Sequence, residues 1–240
     1  MTETCLIDLS KITLVTIDGT GNDTEKILDV INICTRKITF GEVILITADP
    51  NIESTSKIKV HKISKMTYPE YNTFSITDLN SYVNTEFCLI VQTDGFICKP
   101  TNWTNEFYNY DYIGCPWMDA APGYFPWVTE PKYQVGCGGF SLRSKKLLQA
   151  GANLNKEFIS KMTNSGMGED IIICVSLRNY FEQMDCKFPT GEFAKKFALG
   201  SAVLKPNELE TTFGFHSGEF IPMVSKMIER WNDYETTRNT

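Results

Sequence analysis

Ile12-Thr13-Leu14-Val15-Thr16-Ile17, running into Asp18-Gly19-Thr20-Gly21-Asn22-Asp23 and then Thr24 to Lys37, is the stretch that decides the fold. The first six residues are apolar or β-branched and read as a short buried strand. The glycine- and aspartate-rich hexad after them reads as a loop. The apolar positions Ile27, Val30, Ile31 and Cys34 then recur with helical spacing. The pattern repeats downstream. Gly41 breaks the chain before a second apolar run, Glu42 to Thr47, which stops at Ala48-Asp49-Pro50. A third strand is expected over Ile58 to Ile63. A helix is expected over Tyr71 to Val83, burying Phe74, Ile76, Leu79 and Val83, and a fourth strand over Phe87 to Gln92. Strands apolar on both faces that alternate with helices point to a parallel sheet covered on both sides. Such sheets bind ligands at the carboxyl ends of their strands.

Of the 240 residues, 42% are apolar and 22% charged, which suffices for a packed core. No repeat or Pro/Gly/Ser linker divides the chain, so one domain over 1–240 is expected. The net charge of −6 and the lack of a basic run argue against nucleic acid as a partner. No apolar stretch approaches the roughly 18 to 20 residues that a transmembrane helix needs. The first ten residues carry Glu3 and Asp8 rather than the basic and apolar regions of a secretory signal. The eight cysteines stand singly, never at zinc-ligand spacing, so a cytoplasmic location with reduced, core-packed thiols is expected. Oligomeric state leaves no mark in the sequence.

The second half reads differently. Asp111 to Tyr133 is dense in Trp, Tyr, Pro and Gly and has no period, and a loop of that length usually serves or covers a site. A glycine-rich strand is expected over Val135 to Leu142 and a helix over Lys145 to Ala150. Gly168-Glu169-Asp170 opens an apolar helix, Ile171 to Phe181. Phe213-Gly214-Phe215-His216 precedes a final amphipathic helix over about Ile221 to Tyr234.

Asp94, in Gln92-Thr93-Asp94-Gly95, follows the fourth strand. It reads either as a turn residue or as a ligand for Mg²⁺ or Mn²⁺, which favour carboxylate and phosphate oxygens. His216 is one of two histidines; on its own it reads as structural, and His61, inside the third strand, does so outright. Glu169 and Asp170 suit a first helical turn by the macrodipole alone, yet one of them can face a cleft as a general base. Gly136-Cys137-Gly138-Gly139 matches no phosphate loop; glycines in a strand let something bulky approach the backbone. Arg143 is either structural or a contact for phosphate or sugar. Trp117, Tyr124, Phe125 and Trp127 read either as core or, set among prolines, more readily as an exposed platform or lid on which sugars stack.

Taken in order, Gln92-Thr93-Asp94-Gly95-Phe96, Tyr110 through Trp117 and Gly136 through Arg143 resemble the DUF5672 group, taken to be glycosyltransferases. The match spans about Tyr71 to Leu148, with weaker agreement at Glu169-Asp170 and His216. The resemblance implies a single GT-A domain of the α/β class. Its Rossmann-like, mostly parallel sheet would have helices on both faces and a small second sheet beside it. It also implies a division into a nucleotide-binding half (1–95), a donor-sugar and acceptor half (96–220) and a C-terminal helix (221–240).

By the same resemblance, Asp94 ends a DxD metal motif in which Gln92 replaces the first acid, and His216 is the C-terminal metal ligand. Asp170 is the base of an xED motif, with Glu169 second. Thr16, Ile17 and Asp18, with Gln92 and Asp94, would hold the nucleotide-sugar. From residue type alone and not from the resemblance, Trp117, Trp127, Gly138, Gly139 and Arg143 are the candidates to line the sugar and acceptor side.

The expectation is an enzyme that, with Mn²⁺ or Mg²⁺, moves a sugar from an NDP-sugar, UDP-sugar first, to a glycan acceptor with inversion. A sugar-nucleotide nucleotidyltransferase is the first alternative, but it would need a basic loop after the first strand, where the glycine-bearing stretch from Asp18 to Asp23 is acidic through its two aspartates. A non-catalytic carbohydrate-binding module is the second.

Overall fold

The computed structural model describes residues 6–117, 126–200 and 209–218. Six strands form the main sheet in the order β3-β2-β1-β4-β6-β5, where β1 is Ile7–Asp18, β2 Ile38–Thr47, β3 Lys59–Lys62, β4 Phe87–Ile90, β5 Tyr112–Ile113 and β6 Ser141–Ser144. The pairs β1–β2, β1–β4 and β2–β3 are parallel; β6 runs antiparallel to both β4 and β5. A second sheet pairs β7 (Ala198–Gly200) with β8 (Gly214–His216) in parallel. The fold is mixed α/β with a mostly parallel central sheet. Among the described residues no helix is long and apolar enough to cross a membrane.

The alternation of side chains along β1 assigns the two faces. Ile12 and Leu14 join Leu45 and Leu89 under α1 (Thr24–Thr35), which contributes Ile27, Val30, Ile31 and Cys34. Val15 and Ile17 point the other way, with Ile44, Ile46, Cys88 and Ile90. Leu79 and Val83, beyond α2 (Tyr68–Thr77), and Leu148 of α3 (Lys145–Ala152) cover that face. Each such aliphatic side chain, fully buried, is worth roughly 1.5–3 kcal/mol. A third apolar cluster lies where α3, α4 (Lys156–Asn164), the Glu169–Ser176 segment and α6 (Arg178–Gln183) meet.

Several elements depart from their sequence expectations. β1 and β2 are longer than the apolar runs that announce them, and Gly41 lies inside β2 rather than ending a segment. The β1–β2 register slips between Leu9 and Thr13, and a Cβ on Gly41 would sit 2.1 Å from the Ser10 carbonyl oxygen. The glycine there permits a bulge. The helix expected from Tyr71 starts at Tyr68, where Thr67 and Glu70 form a capping box, and ends at Thr77. The strand expected over Val135 to Leu142 survives only from Ser141. The helix expected over Ile171 to Phe181 is broken into a short α turn, α5 (Glu169–Ile171), a π turn over Ile172–Ser176 and α6. The final helix expected over Ile221 to Tyr234 lies outside the described residues, as does the C-terminal element of 221–240.

In the strand order, β1 lies between β2 and β4. The connection from β1 goes one way through β2 and β3, and β4 returns on the other side. A crevice therefore opens at the carboxyl ends of β1 and β4.

Candidate functional site

That crevice is a cleft of about 380 Å³, and Thr16, Ile17, Asp18, Tyr68, Gln92 and Asp94 are among its lining residues. Its charged lining residues are Asp18, Asp23 and Asp94; neither Lys nor Arg is among them.

Asp94 and His216 are brought together by backbone pairing. The chain after β4 runs antiparallel to the segment around β8: Ser217 N–H donates to Asp94 O (2.7 Å), Phe215 N–H to Phe96 O (3.2 Å) and Cys98 N–H to Phe213 O (3.0 Å). Phe96 and Phe215 also meet edge to face at 4.7 Å, which anchors the pairing in the core. As a result His216 Nε2 lies 3.5 Å from Asp94 Oδ1 and 3.3 Å from Gln92 Oε1, while Nδ1 lies 3.0 Å from Cys137 Sγ. The Gln92 amide is oriented from its other end, where Nε2 donates to the Tyr71 hydroxyl at 2.8 Å. Burial opposes protonation of His216, but the Cys137 sulfur and the Asp94 carboxylate outweigh it and raise its pKa. The hydrogen bond from His216 in turn lowers the pKa of Asp94.

Glycines let these groups approach. A Cβ on Gly139 would fall 2.1 Å from His216 Nε2 and 2.4 Å from Gln92 Oε1; one on Gly95 would fall 2.6 Å from His216 Cδ2. One on Gly138 would meet Glu169 Oε1 at 1.7 Å, and one on Gly136 the Trp117 ring at 1.8 Å. The bulky neighbour that these glycines admit is the protein's own side chains. For Gly138 and Gly139 this corrects the expectation of a direct sugar contact.

The acidic pair divides its roles. Glu169 is buried and forms an ion pair with Arg143 Nη2 at 2.9 Å; Arg143 is fully buried and also donates to Ser75 O and to Ser141 Oγ. Arg143 is therefore a cross-link between β6 and α5, not an open contact for phosphate, and Glu169 is held away from the role of base. Asp170 is half-buried. Its Oδ2 accepts the backbone N–H groups of Cys137 (3.0 Å) and Gly138 (3.3 Å), and its Oδ1 accepts that of Ile171 (2.8 Å). Cys137 makes this possible by adopting φ 65, a left-handed conformation that turns successive N–H groups toward one oxygen. Burial and the neighbouring Glu169 charge nevertheless push the Asp170 pKa up to about 6.

The remaining candidates sort by geometry. Thr16 and Ile17 line the cleft at the end of β1. Asp18 lies there too, but its carboxylate is occupied: Oδ1 accepts from Gly21 N (2.8 Å) and Thr20 Oγ1 (3.1 Å), Oδ2 from Thr24 Oγ1 (3.2 Å) and Thr47 Oγ1 (3.4 Å). Trp117 is a core residue at 5% exposure, which corrects its reading as an exposed platform. Trp127 packs edge to face against it at 5.9 Å. Tyr124 and Phe125 lie outside the described residues. Sequence reasoning passed over Tyr71, which positions Gln92, and Cys137, which contacts His216. A cysteine inside a glycine triplet was the available signal for the second; the first leaves none.

Among the described residues no three His, Cys, Asp or Glu side chains gather closely enough to hold a metal by themselves. The pair Asp94 Oδ1 and His216 Nε2, with the Gln92 amide oxygen beside them, is an oxygen-and-imidazole set that fits Mn²⁺ or Mg²⁺ bound partly by substrate oxygens.

A family model described as a protein of unknown function, DUF5672, matches residues 57–216, and the chain belongs to that family. No curated protein sequence matches. Forty chains of known structure do match. One is a 4-diphosphocytidyl-2C-methyl-D-erythritol synthase, 9% identical, with a TM-score of 0.24, over 73% of this chain and 98% of that one.

Proposed function

We propose that this member of the DUF5672 family is a GT-A-type, metal-dependent glycosyltransferase acting in the cytoplasm. It would move a sugar from an NDP-sugar, UDP-sugar first, to a hydroxyl of a glycan acceptor. The observation that carries the reading is the meeting of Asp94 and His216, 3.5 Å apart, at a cleft whose charged lining is acidic throughout. A diphosphate finds no counter-charge among those lining residues, so its binding there calls for a cation. Asp94 and His216, the latter giving up its proton to the incoming ion, with the Gln92 amide oxygen, would hold that ion, and Mn²⁺ or Mg²⁺ there would neutralise charge on a departing diphosphate.

The chain's own groups do the rest. Thr16 and Ile17 border the nucleoside end of the cleft, and Tyr71 fixes the Gln92 amide. Asp170 takes the proton of the acceptor hydroxyl. That oxygen forms a bond to the anomeric carbon while the bond from carbon to the diphosphate oxygen breaks, and the electron pair leaves on the diphosphate. A pKa of about 6 keeps Asp170 ionised near neutrality, yet more basic than an ordinary aspartate. A single base opposite the leaving group gives inversion, by the logic of single-displacement glycosidases.

The test is a panel of NDP-sugars with Mn²⁺ and mixed glycan acceptors. Transfer that requires the metal supports the reading, and a product of retained configuration in NMR removes the single-base mechanism.

A further inference from the structure

Tyr68 is the most exposed large apolar residue described, at 66% exposure, and it lies at the lip of the cleft that also contains Gln92 and Asp94. It is not a loose surface ring. It is the first residue of α2, behind the Thr67–Glu70 capping box and ahead of Pro69. Asn72, fully buried, braces it against the base: its Nδ2 donates to Tyr68 O at 2.9 Å, and its Oδ1 accepts the Glu169 N–H at 3.1 Å. A Cβ placed on Gly168 would lie 3.5 Å from the Tyr68 hydroxyl and 2.8 Å from Asp170 Oδ1, so ring and carboxylate share one side of that glycine. An exposed aromatic ring on a fixed stretch of backbone thus lies beside Asp170 and lines the cleft that contains Asp94.

We propose that Tyr68 and Asp170 form an acceptor subsite for a neutral pyranoside, whose apolar C–H face packs on the Tyr68 ring while one hydroxyl reaches the Asp170 carboxylate. The inference rests on the transferase reading for its use, but not for its binding. Asp170 lies beside the ring and Asp94 lines the same cleft, while Glu169 is neutralised by Arg143; the charge of the first two selects against an acidic sugar. Tyr68 is therefore a specificity-determining residue.

Saturation-transfer NMR tests this with methyl glucoside, galactoside, mannoside and methyl glucuronide as probes. The wild-type protein is expected to bind at least one neutral pyranoside through its C–H protons and to ignore the glucuronide. Tyr68→Ala is expected to weaken that binding about ten-fold, whereas Tyr68→Phe retains it. Phe158→Ala, which removes another exposed ring, serves as the control and binds as wild type. Circular dichroism of each variant separates lost binding from lost folding. Absence of binding by every neutral pyranoside, equal binding of the glucuronide, or wild-type affinity in Tyr68→Ala overturns the proposal. Pyranoside binding in a protein that binds no NDP leaves the subsite standing and removes the transferase reading instead.

Discussion

Asp18 ends β1, Asp94 follows the adjacent parallel strand β4, and both line the same cleft, yet their surroundings differ. Asp18 has both carboxylate oxygens taken up by Gly21, Thr20, Thr24 and Thr47, and so pins the β1–α1 loop. Asp94 faces His216, a residue that arrives from the far end of the described chain. Position at a strand end brings a carboxylate to a ligand crevice, but chemistry needs an oxygen that the fold has not already bonded. The pair Glu169 and Asp170 repeats the contrast: the first is bound to Arg143, and the second keeps lone pairs beyond its backbone contacts.

The strongest break in this contrast is expected from Asp170→Asn, which should lower transfer by roughly 10²–10⁴-fold while NDP binding persists. In the wild type, kcat/KM should fall as pH drops below about 6, because protonated Asp170 cannot accept the acceptor's proton. Stability moves the other way. The folded-state pKa is raised above 3.8, so the contribution of this group is greatest at low pH and is lost as pH rises through about 6. Denaturant titrations across that range should show Asp170→Asn flattening the slope.

Arg143→Met comes next. It leaves Glu169 buried without its cation and should destabilise the protein by about 3–5 kcal/mol in denaturant unfolding. Asp94→Ala should lower metal-dependent transfer roughly 100-fold with little loss of stability, because its carboxylate is partly open and anchors no loop. The smallest effect is expected from Asp18→Ala, which strands the Gly21 N–H and the Thr20 and Thr47 hydroxyls, while Thr24 keeps Asp49 as its acceptor at 2.9 Å, and should cost about 1–3 kcal/mol in thermal unfolding. If Asp18→Ala lost activity without losing stability, the assignment of Asp18 to structure would fail.

The strands and α1 were legible because their apolar runs are buried on both faces or spaced at 3.6 residues. Ile12 to Ile17 and the α1 positions Ile27, Val30, Ile31 and Cys34 all lie in the core. Gly41 misled because a glycine that permits a bulge looks in sequence like one that ends a segment. The Val135 to Leu142 strand was overdrawn for a related reason. Gly136, Gly138 and Gly139 bend the chain around Trp117, Glu169 and His216, contacts that no local pattern encodes. Asp94 and Asp170 drew attention by residue type and position, whereas His216 alone reads as structural and entered through the family resemblance. The backbone pairing of 94–98 with 213–217 is a tertiary fact without a sequence period, and Tyr68 and Asn72 matter only because α2 packs beside α5.

Calorimetric titration of UDP, with and without Mn²⁺, into the wild type and Asp94→Ala tests the central claim most directly. The account expects the wild type to bind the nucleotide only in the presence of Mn²⁺ and the variant to lose that dependence together with the affinity. Binding that ignores the metal, or that survives unchanged in Asp94→Ala, would contradict it.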